Sequence, residues 1–279
     1  MIHTSTQLKA LIRNESHGDN AKAMALIRNY EMERFLERLS LSKYRDSLIL
    51  KGGLLIASMV GLDNRATMDI DTTIRNYNLS TDDVRNMIED IIAIPLDDGT
   101  KFVIKSAENI MGETEYPGLR VKLEAVLDTM KTPLKIDIST DDVITPKEVN
   151  YEYTLMFEER TIPLLAYNLE TVLAEKMETI ISRGILNTRM RDYYDLMILK
   201  VVKSDAINYE DLAKAFKATS KKRESYELAS DLKHILKQIK FDAGLAEQWE
   251  IYRRKYDYAI DYNWKDIVEN IEQLFEKMI

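Results

Sequence analysis

The sequence predicts an α+β protein in which a strand-rich front half precedes a helical rear half. Three observations carry that expectation. Short β-like runs bounded by turn residues recur between Leu48 and Phe157, and from Asn168 onward apolar residues recur at helical spacing. The chain has only 9 Gly and 5 Pro in 279 residues, too few for a loop-rich all-β fold. The division is placed at 165, giving a domain over 1–165 that includes N-terminal helices and a helical domain over 166–279 that contributes to the active-site cleft.

Taken in order, residues 5–14 and 20–40 read as helices; in the second, Met24, Ile27, Phe35, Leu36 and Leu39 recur among Arg and Glu. A polar break at Ser42 to Asp46 leads to the apolar run Leu48-Ile49-Leu50 and then to Lys51-Gly52-Gly53. A short apolar segment, Leu54 to Val60, stops at Gly61. Thr67 to Ile74 reads as a strand, with Asp69 and Asp71 on one face and Met68 and Ile70 on the other. Asn76 to Ser80 is a loop, and Ser80 with Asp82 and Asp83 marks a helix N-terminus. Strands are expected at 101–104, 119–123 and 134–138, with breaks at Pro95 to Thr100 and Gly112 to Gly118. In the last of them Asp137 shares a face with Lys135 and Ser139. Thr145-Pro146 and Ile162-Pro163 bound a further β-like region, Val149 to Phe157.

Asn168 is the expected cap of the first rear helix, whose buried stripe is Leu169, Val172, Leu173, Met177 and Ile180. Lys176 falls inside that stripe. After a turn at 182–187, a helix over roughly 189–202 contains Asp192 and Asp195. About four more helices complete the chain. Tyr and Met positions are expected to be core, and Lys221-Lys222-Arg223 a solvated turn.

Composition excludes several chemistries. There are no cysteines, so disulfides and thiolate zinc sites are absent. His3, His17 and His234 are too widely spaced for a histidine triad or metal site. No apolar run approaches the roughly 20 residues of a membrane span, and no signal-peptide core is visible, so a cytoplasmic address without membrane attachment is expected. The net charge of −8 is opposite to that of non-specific nucleic-acid binders, so an RNA partner must meet a local basic patch.

The remaining signal is a carboxylate set. Asp69 and Asp71 on one strand face repel unless a cation lies between them, and paired carboxylates are a usual way to hold Mg²⁺ with substrate phosphates. A lone D-x-D pair is commonly a solvated strand end; Gly52-Gly53 upstream strengthens it, because glycine amides can approach phosphate at a helix N-terminus. Asp137 is either an edge-strand aspartate facing water or the third carboxylate that two-metal phosphoryl transfer uses, with ions about 3.5–4 Å apart. An unpaired lysine in a buried stripe is costly, so Lys176 either points at a phosphate or pairs with Glu175, Asp192 or Asp195. Asp192 and Asp195 in turn orient Lys176 or pair with Arg189 and Arg191.

Taken together, Lys51-Gly52-Gly53, Arg65-Ala66-Thr67-Met68-Asp69-Ile70-Asp71, Lys135-Ile136-Asp137-Ile138, Leu173-Ala174-Glu175-Lys176-Met177 and Arg189 through Leu196 resemble the AbiEii/AbiGii toxin family of nucleotidyltransferases, within the DNA polymerase β-like superfamily. The resemblance implies a polymerase β-like nucleotidyltransferase core with a mixed sheet and an appended helical lobe. It implies Mg²⁺, with Mn²⁺ as the alternative ion, on Asp69, Asp71 and Asp137, and an NTP held by Lys51, Gly52, Gly53 and Lys176. Lys176 and Asp192 match the family's remaining essential positions. Superfamily members often carry Gly-Ser where this chain has Gly52-Gly53, a variant that fits the AbiEii pattern. The implied activity is that of a toxin of a toxin–antitoxin or abortive-infection (phage-defence) system, moving a nucleoside monophosphate from an NTP to an RNA acceptor such as the 3′ end of tRNA. A cognate antitoxin is implied too, acting with or without direct contact. Rival readings are transfer to a protein hydroxyl (AMPylation-like), nucleotide binding with growth arrest but no turnover, and a degenerate scaffold for an antitoxin or RNA. The intact Asp69, Asp71, Asp137 and Lys176 argue against the last.

Overall fold

Seven strands and ten α-helices are present among the described residues of the computed structural model, which are 2–75, 80–110 and 118–278. Most of the loop expected at Asn76 to Ser80, and of the break at Gly112 to Gly118, lies outside them. The chain forms two compact units. One comprises Met1–Ser58, Ala66–Asp142 and Val149–Ala166, and the other Met59–Arg65, Val143–Glu148 and Tyr167–Ile279.

The first unit holds the sheet. Its strands are β1 (Leu48–Lys51), β2 (Ile70–Ile74), β3 (Thr100–Ile110), β4 (Gly118–Leu127), β5 (Met130–Thr140), β6 (Val149–Thr154) and β7 (Thr161–Ala166). Their spatial order is β3-β4-β5-β2-β1-β7-β6, parallel at β2–β5 and β1–β7 and antiparallel elsewhere. Strict alternation explains β4 and β5: Leu119, Val121, Leu123, Ala125 and Leu127, with Leu134, Ile136 and Ile138, are buried, while charged residues between them face outward. The helices are α1 (Ser5–Ser16), α2 (Asn20–Leu41), α3 (Gly52–Val60) and α4 (Thr81–Ile92). A capping box of Thr4 and Gln7 starts α1, and Asp19 caps α2. Ser80 Oγ accepts from the Asp83 amide, and Val84, Met87, Ile88 and Ile91 form the buried stripe of α4. That stripe packs on β3 and β4, and α2 packs on β5 and β7.

Two expectations about the strands need correction. The strand expected over Thr67 to Ile74 begins only at Ile70; Met68 and Asp69 lie in a bend, and Met68 is exposed rather than inward. Residues 161–166, which Ile162-Pro163 marked as a boundary, form β7. Its ladder with β1 registers at Leu50↔Ala166, so the missing Pro163 amide falls where no β1 partner is registered.

Helix α2 buries an ionic layer. Arg38 grips Asp98 through both terminal nitrogens, at 2.7 and 2.9 Å, and donates to Thr100 O. Glu31 Oε2 accepts from Thr100 Oγ1 at 3.3 Å, while its Oε1 is enclosed without a hydrogen bond. Burial pushes the Glu31 carboxyl up to about 7, against the Thr100 bond and with the help of Asp98, and burial likewise pushes Glu33 up to about 8. A raised carboxyl means that the folded chain binds more protons than the unfolded chain between the ordinary glutamate value, near 4.3, and pH 7–8. Stability therefore falls as pH rises through that window. Calorimetry is expected to show the melting temperature dropping by a few degrees between pH 5.5 and 8.5, and Glu31→Gln, neutral throughout, to shrink that drop. An unchanged drop in the variant overturns the assignment.

The second unit contains α5 (Leu169–Arg183), α6 (Met190–Lys203), α7 (Tyr209–Lys222), α8 (Leu232–Phe241), α9 (Ala243–Lys255) and α10 (Trp264–Glu276). Asn168 caps α5 as expected, its Oδ1 accepting from the Thr171 amide, and its Nδ2 also donates to Thr145 O and Lys147 O, fixing the 143–148 segment. Tyr194 OH donates to Asn64 O at 2.7 Å and fixes the 59–65 segment to α6. Arg223 is not a solvated turn residue: its Nη1 donates to Glu178 Oε2 at 2.7 Å and its Nη2 to Glu175 Oε1. No helix among the described residues is long and apolar enough to cross a membrane.

Candidate active site

Five strands of the first unit carry one line of charge. Cross-strand partners run Lys51↔Asp71, Asp71↔Asp137, Asp137↔Arg120 and Arg120↔Glu108, across β1, β2, β5, β4 and β3. The parallel pairing of β2 with β5 puts Asp71 and Asp137 side by side, and Asp69 enters just ahead of β2. The sheet thus assembles Lys51, Asp69, Asp71 and Asp137 from distant parts of the chain.

Each carboxylate has its own counter-charge. Asp137 accepts both arms of Arg120, Oδ1 from Nε at 2.8 Å and Oδ2 from Nη2 at 2.7 Å. Asp71 Oδ2 accepts from the Gly53 amide at 3.2 Å, at the N-terminus of α3. Asp69 Oδ1 is enclosed, accepts no hydrogen bond, and lies 3.4 Å from Lys135 Nζ. Burial lifts the Asp71 carboxyl above the usual range; Lys51 and the Gly53 amide oppose this, while the charges of Asp137 and Asp69 add to it. Lys51 Nζ pairs with Asp142, whose Oδ2 also accepts from Ser139 Oγ at 2.6 Å.

Gly52 explains part of the glycine pair. Its φ is +68°, and a Cβ there would fall 2.1 Å from Asp71 Oδ2. The glycine lets the backbone turn beside Asp71, and the Gly53 amide, expected to be aimed at phosphate, donates to that same carboxylate.

The second unit holds a separate buried ionic cluster. Lys176 Nζ lies 2.6 Å from Asp192 Oδ1 and 3.0 Å from Asp195 Oδ2. Arg65 closes the other side of Asp195, Nε to Oδ1 at 2.6 Å and Nη2 to Oδ2 at 3.3 Å. Burial works against the Asp195 charge, yet Arg65 and then Lys176 hold its carboxyl below the usual range. Burial likewise opposes the Lys176 charge, and Asp192 and Asp195 outweigh it, so its ammonium is held above the ordinary value. Lys176 is therefore a paired cation here, and Asp192 Oδ2, enclosed without a hydrogen bond, faces Arg189 Nε at 3.5 Å. Sequence reasoning gave no role to Arg65, Arg120 or Asp142. Alternation along β4 would have placed Arg120 outward, but nothing local names its partner.

Hard oxygen donors such as these suit Mg²⁺ or Mn²⁺. Asp69, with an unsatisfied oxygen, and Asp71, with two like charges beside it, fit such an ion. Among the described residues, however, no three Asp, Glu, His or Cys side chains converge on one point. Asp137 has both oxygens committed to Arg120.

Comparison with known proteins decides the class. The sequence profile described as "Nucleotidyl transferase AbiEii toxin, Type IV TA system" matches residues 34–276. The chain belongs to the AbiEii family. It is a nucleotidyltransferase toxin, of a family that implies an NTP substrate and a cognate antitoxin. Among solved structures it resembles MenT4, a nucleotidyltransferase toxin from Mycobacterium tuberculosis, at 13% identity and a TM-score of 0.59, over 97% of this chain and 98% of that one. It also resembles a candidate nucleotidyltransferase from H. pylori at 20% identity and a TM-score of 0.50, covering 91% and 96% of the two chains. These likenesses concern the nucleotidyltransferase fold, which the AbiEii chain builds as an α+β protein with its mixed sheet. No curated protein matches it in sequence.

Proposed function

We propose that this AbiEii toxin transfers a nucleoside monophosphate from an NTP to the 3′ hydroxyl of an RNA, tRNA being the acceptor class, in a divalent-cation-dependent reaction serving phage defence. The observation that carries the reading is the parallel register of β2 and β5, which sets Asp71 beside Asp137 with Asp69 at the strand entrance. Asp69 and Asp71 would hold the cation, with Asp137 joining them. When bound, such an ion neutralises triphosphate charge and lowers the pKa of the acceptor hydroxyl. The Gly53 amide fixes the Asp71 carboxylate, and Lys51, seated on Asp142, keeps a positive charge beside it. Asp137 takes the acceptor's proton. The acceptor oxygen then bonds to the α-phosphorus as the bond to pyrophosphate breaks.

The RNA reading draws support from the outward face of β3–β5. Lys101, Lys105, Arg120, Lys122, Lys131 and Lys135 face out there, against Glu108, Glu124 and Asp137. That is a local excess of cations on a chain of net charge −8. Lys176 and Asp192 enter the proposal as required residues of the second unit.

The test is incubation of the purified protein with each α-labelled NTP, Mg²⁺ and total tRNA. Label is expected in RNA, to be removed by RNase and not by protease, and to fall at least about a thousandfold in Asp69→Ala. Lys176→Met and Asp192→Asn are read in the same assay. Label removed only by protease moves the acceptor to a protein hydroxyl, and no label with any NTP sinks the proposal.

A further inference from the structure

We propose that Arg120 is a phosphate-binding residue of this site, parked on Asp137 until a divalent cation takes that carboxylate. The inference rests on the metal-and-NTP reading above and adds a residue that reading does not contain. Asp71 and Asp137 are cross-strand neighbours, and two adjacent carboxylates on a half-buried sheet face need neutralising. Arg120 does this for Asp137, occupying both oxygens through parallel charge-assisted hydrogen bonds of 2.8 and 2.7 Å.

Each oxygen keeps a second lone pair while it accepts from the guanidinium, but the guanidinium's positive charge opposes a divalent cation at the same carboxylate. Cation and Arg120 therefore compete for Asp137.

Displacement leaves a guanidinium in a chosen place. Arg120 is held on the backbone of β4 directly across from Asp137, and its side chain is 28% exposed. Its neighbour on the far side, Glu108, has its carboxylate on Lys122 at 2.5 Å. A planar fork beside a cation-bound triphosphate matches two phosphate oxygens, which a lysine cannot do bidentately. The chemical class recognised is the polyphosphate of a nucleoside triphosphate. One residue would then suppress non-productive charge repulsion before loading and grip the substrate after it.

Two binding measurements test this without turnover. Mn²⁺ affinity is measured in the absence of nucleotide by electron paramagnetic resonance. Binding of a non-hydrolysable NTP analogue is measured in the presence of Mn²⁺ by calorimetry. Arg120→Met is expected to bind Mn²⁺ severalfold more tightly than wild type and the analogue about tenfold more weakly. Arg120→Lys, which keeps charge on the strand and guards against misfolding of the Met variant, is expected to weaken analogue binding without the full gain in Mn²⁺ affinity. A bridge that merely pins β4 to β5 would lower thermal stability and leave both affinities unmoved, and that result overturns the proposal. Wild type failing to bind either Mn²⁺ or the analogue brings down the metal-and-NTP reading itself. Wild type binding both, with variants indistinguishable from it, brings down Arg120 alone.

Discussion

Gly52→Ala is expected to abolish nucleotidyl transfer and to lower folding stability by about 2 kcal/mol or more. The backbone there has φ +68°, a left-handed conformation that costs an L-residue roughly 1–2 kcal/mol. Strain is the smaller part. The new methyl would lie 2.1 Å from Asp71 Oδ2 and 2.6 Å from Asp71 Cβ and Cγ, so the Asp71 side chain or the β1–α3 turn must shift. Either shift breaks the Gly53 amide bond to Asp71 and moves the carboxylate off its line with Asp137. Gly18 offers the matched control. Its φ is +89°, and a Cβ there meets nothing within 4 Å. Gly18→Ala should therefore show the conformational cost alone, with transfer intact. Urea denaturation and the label-transfer assay read the two effects, and a Gly52→Ala protein of normal stability and activity would refute the contact.

That contact shows where sequence reading reaches and where it stops. Period-two alternation placed Asp137 outward between Ile136 and Ile138, and the cap at Ser80 placed α4, because both signals are local. The same alternation failed at Met68, since Thr67 to Asp69 precede the strand and no ladder imposes the pleat there. The glycine pair was visible, but its reason was not. The carboxylate it accommodates comes from β2, antiparallel to β1 across the α3 excursion. Arg120 was invisible for a similar cause: its partner depends on the register of β4 against β5, which the whole sheet's packing sets. Pro163 misled because a proline within a strand is tolerated only where no donor is needed, a fact of the neighbouring strand and not of residues 161–166. The rear helices were legible as helices, but the use of Lys176 was open between phosphate and carboxylate until Asp192 and Asp195 were seen on it.

Arg65→Met is expected to be the most destabilising single change in the second unit, at about 3–5 kcal/mol. Arg65 and Asp195 have side-chain exposures of 1% and 0%, so neither charge can turn to water. Removing the guanidinium leaves Asp195 with Lys176, a cation it shares with Asp192, while Arg189 reaches only the Asp192 side at 3.5 Å. Asp195 then escapes by taking a proton, which reverses the pH dependence. In wild type its lowered carboxyl contributes stability that is present above the ordinary aspartate value and lost only as pH falls through the lowered one. In Arg65→Met the carboxyl is raised instead, so stability should improve as pH falls from 8 to 5. The decisive comparison is Arg65→Met with Asp195→Leu. Deleting both charges removes the uncompensated carboxylate and should recover much of the loss at neutral pH, with Lys176 left to Asp192. If the double variant is as unstable as the sum of the single ones, the pair is not acting as a unit. Recovery would mean that Arg65 saturates Asp195 so that the Lys176 charge is committed to Asp192. Arg65 would then set, through Asp195, the geometry of two residues on which the proposed transfer depends.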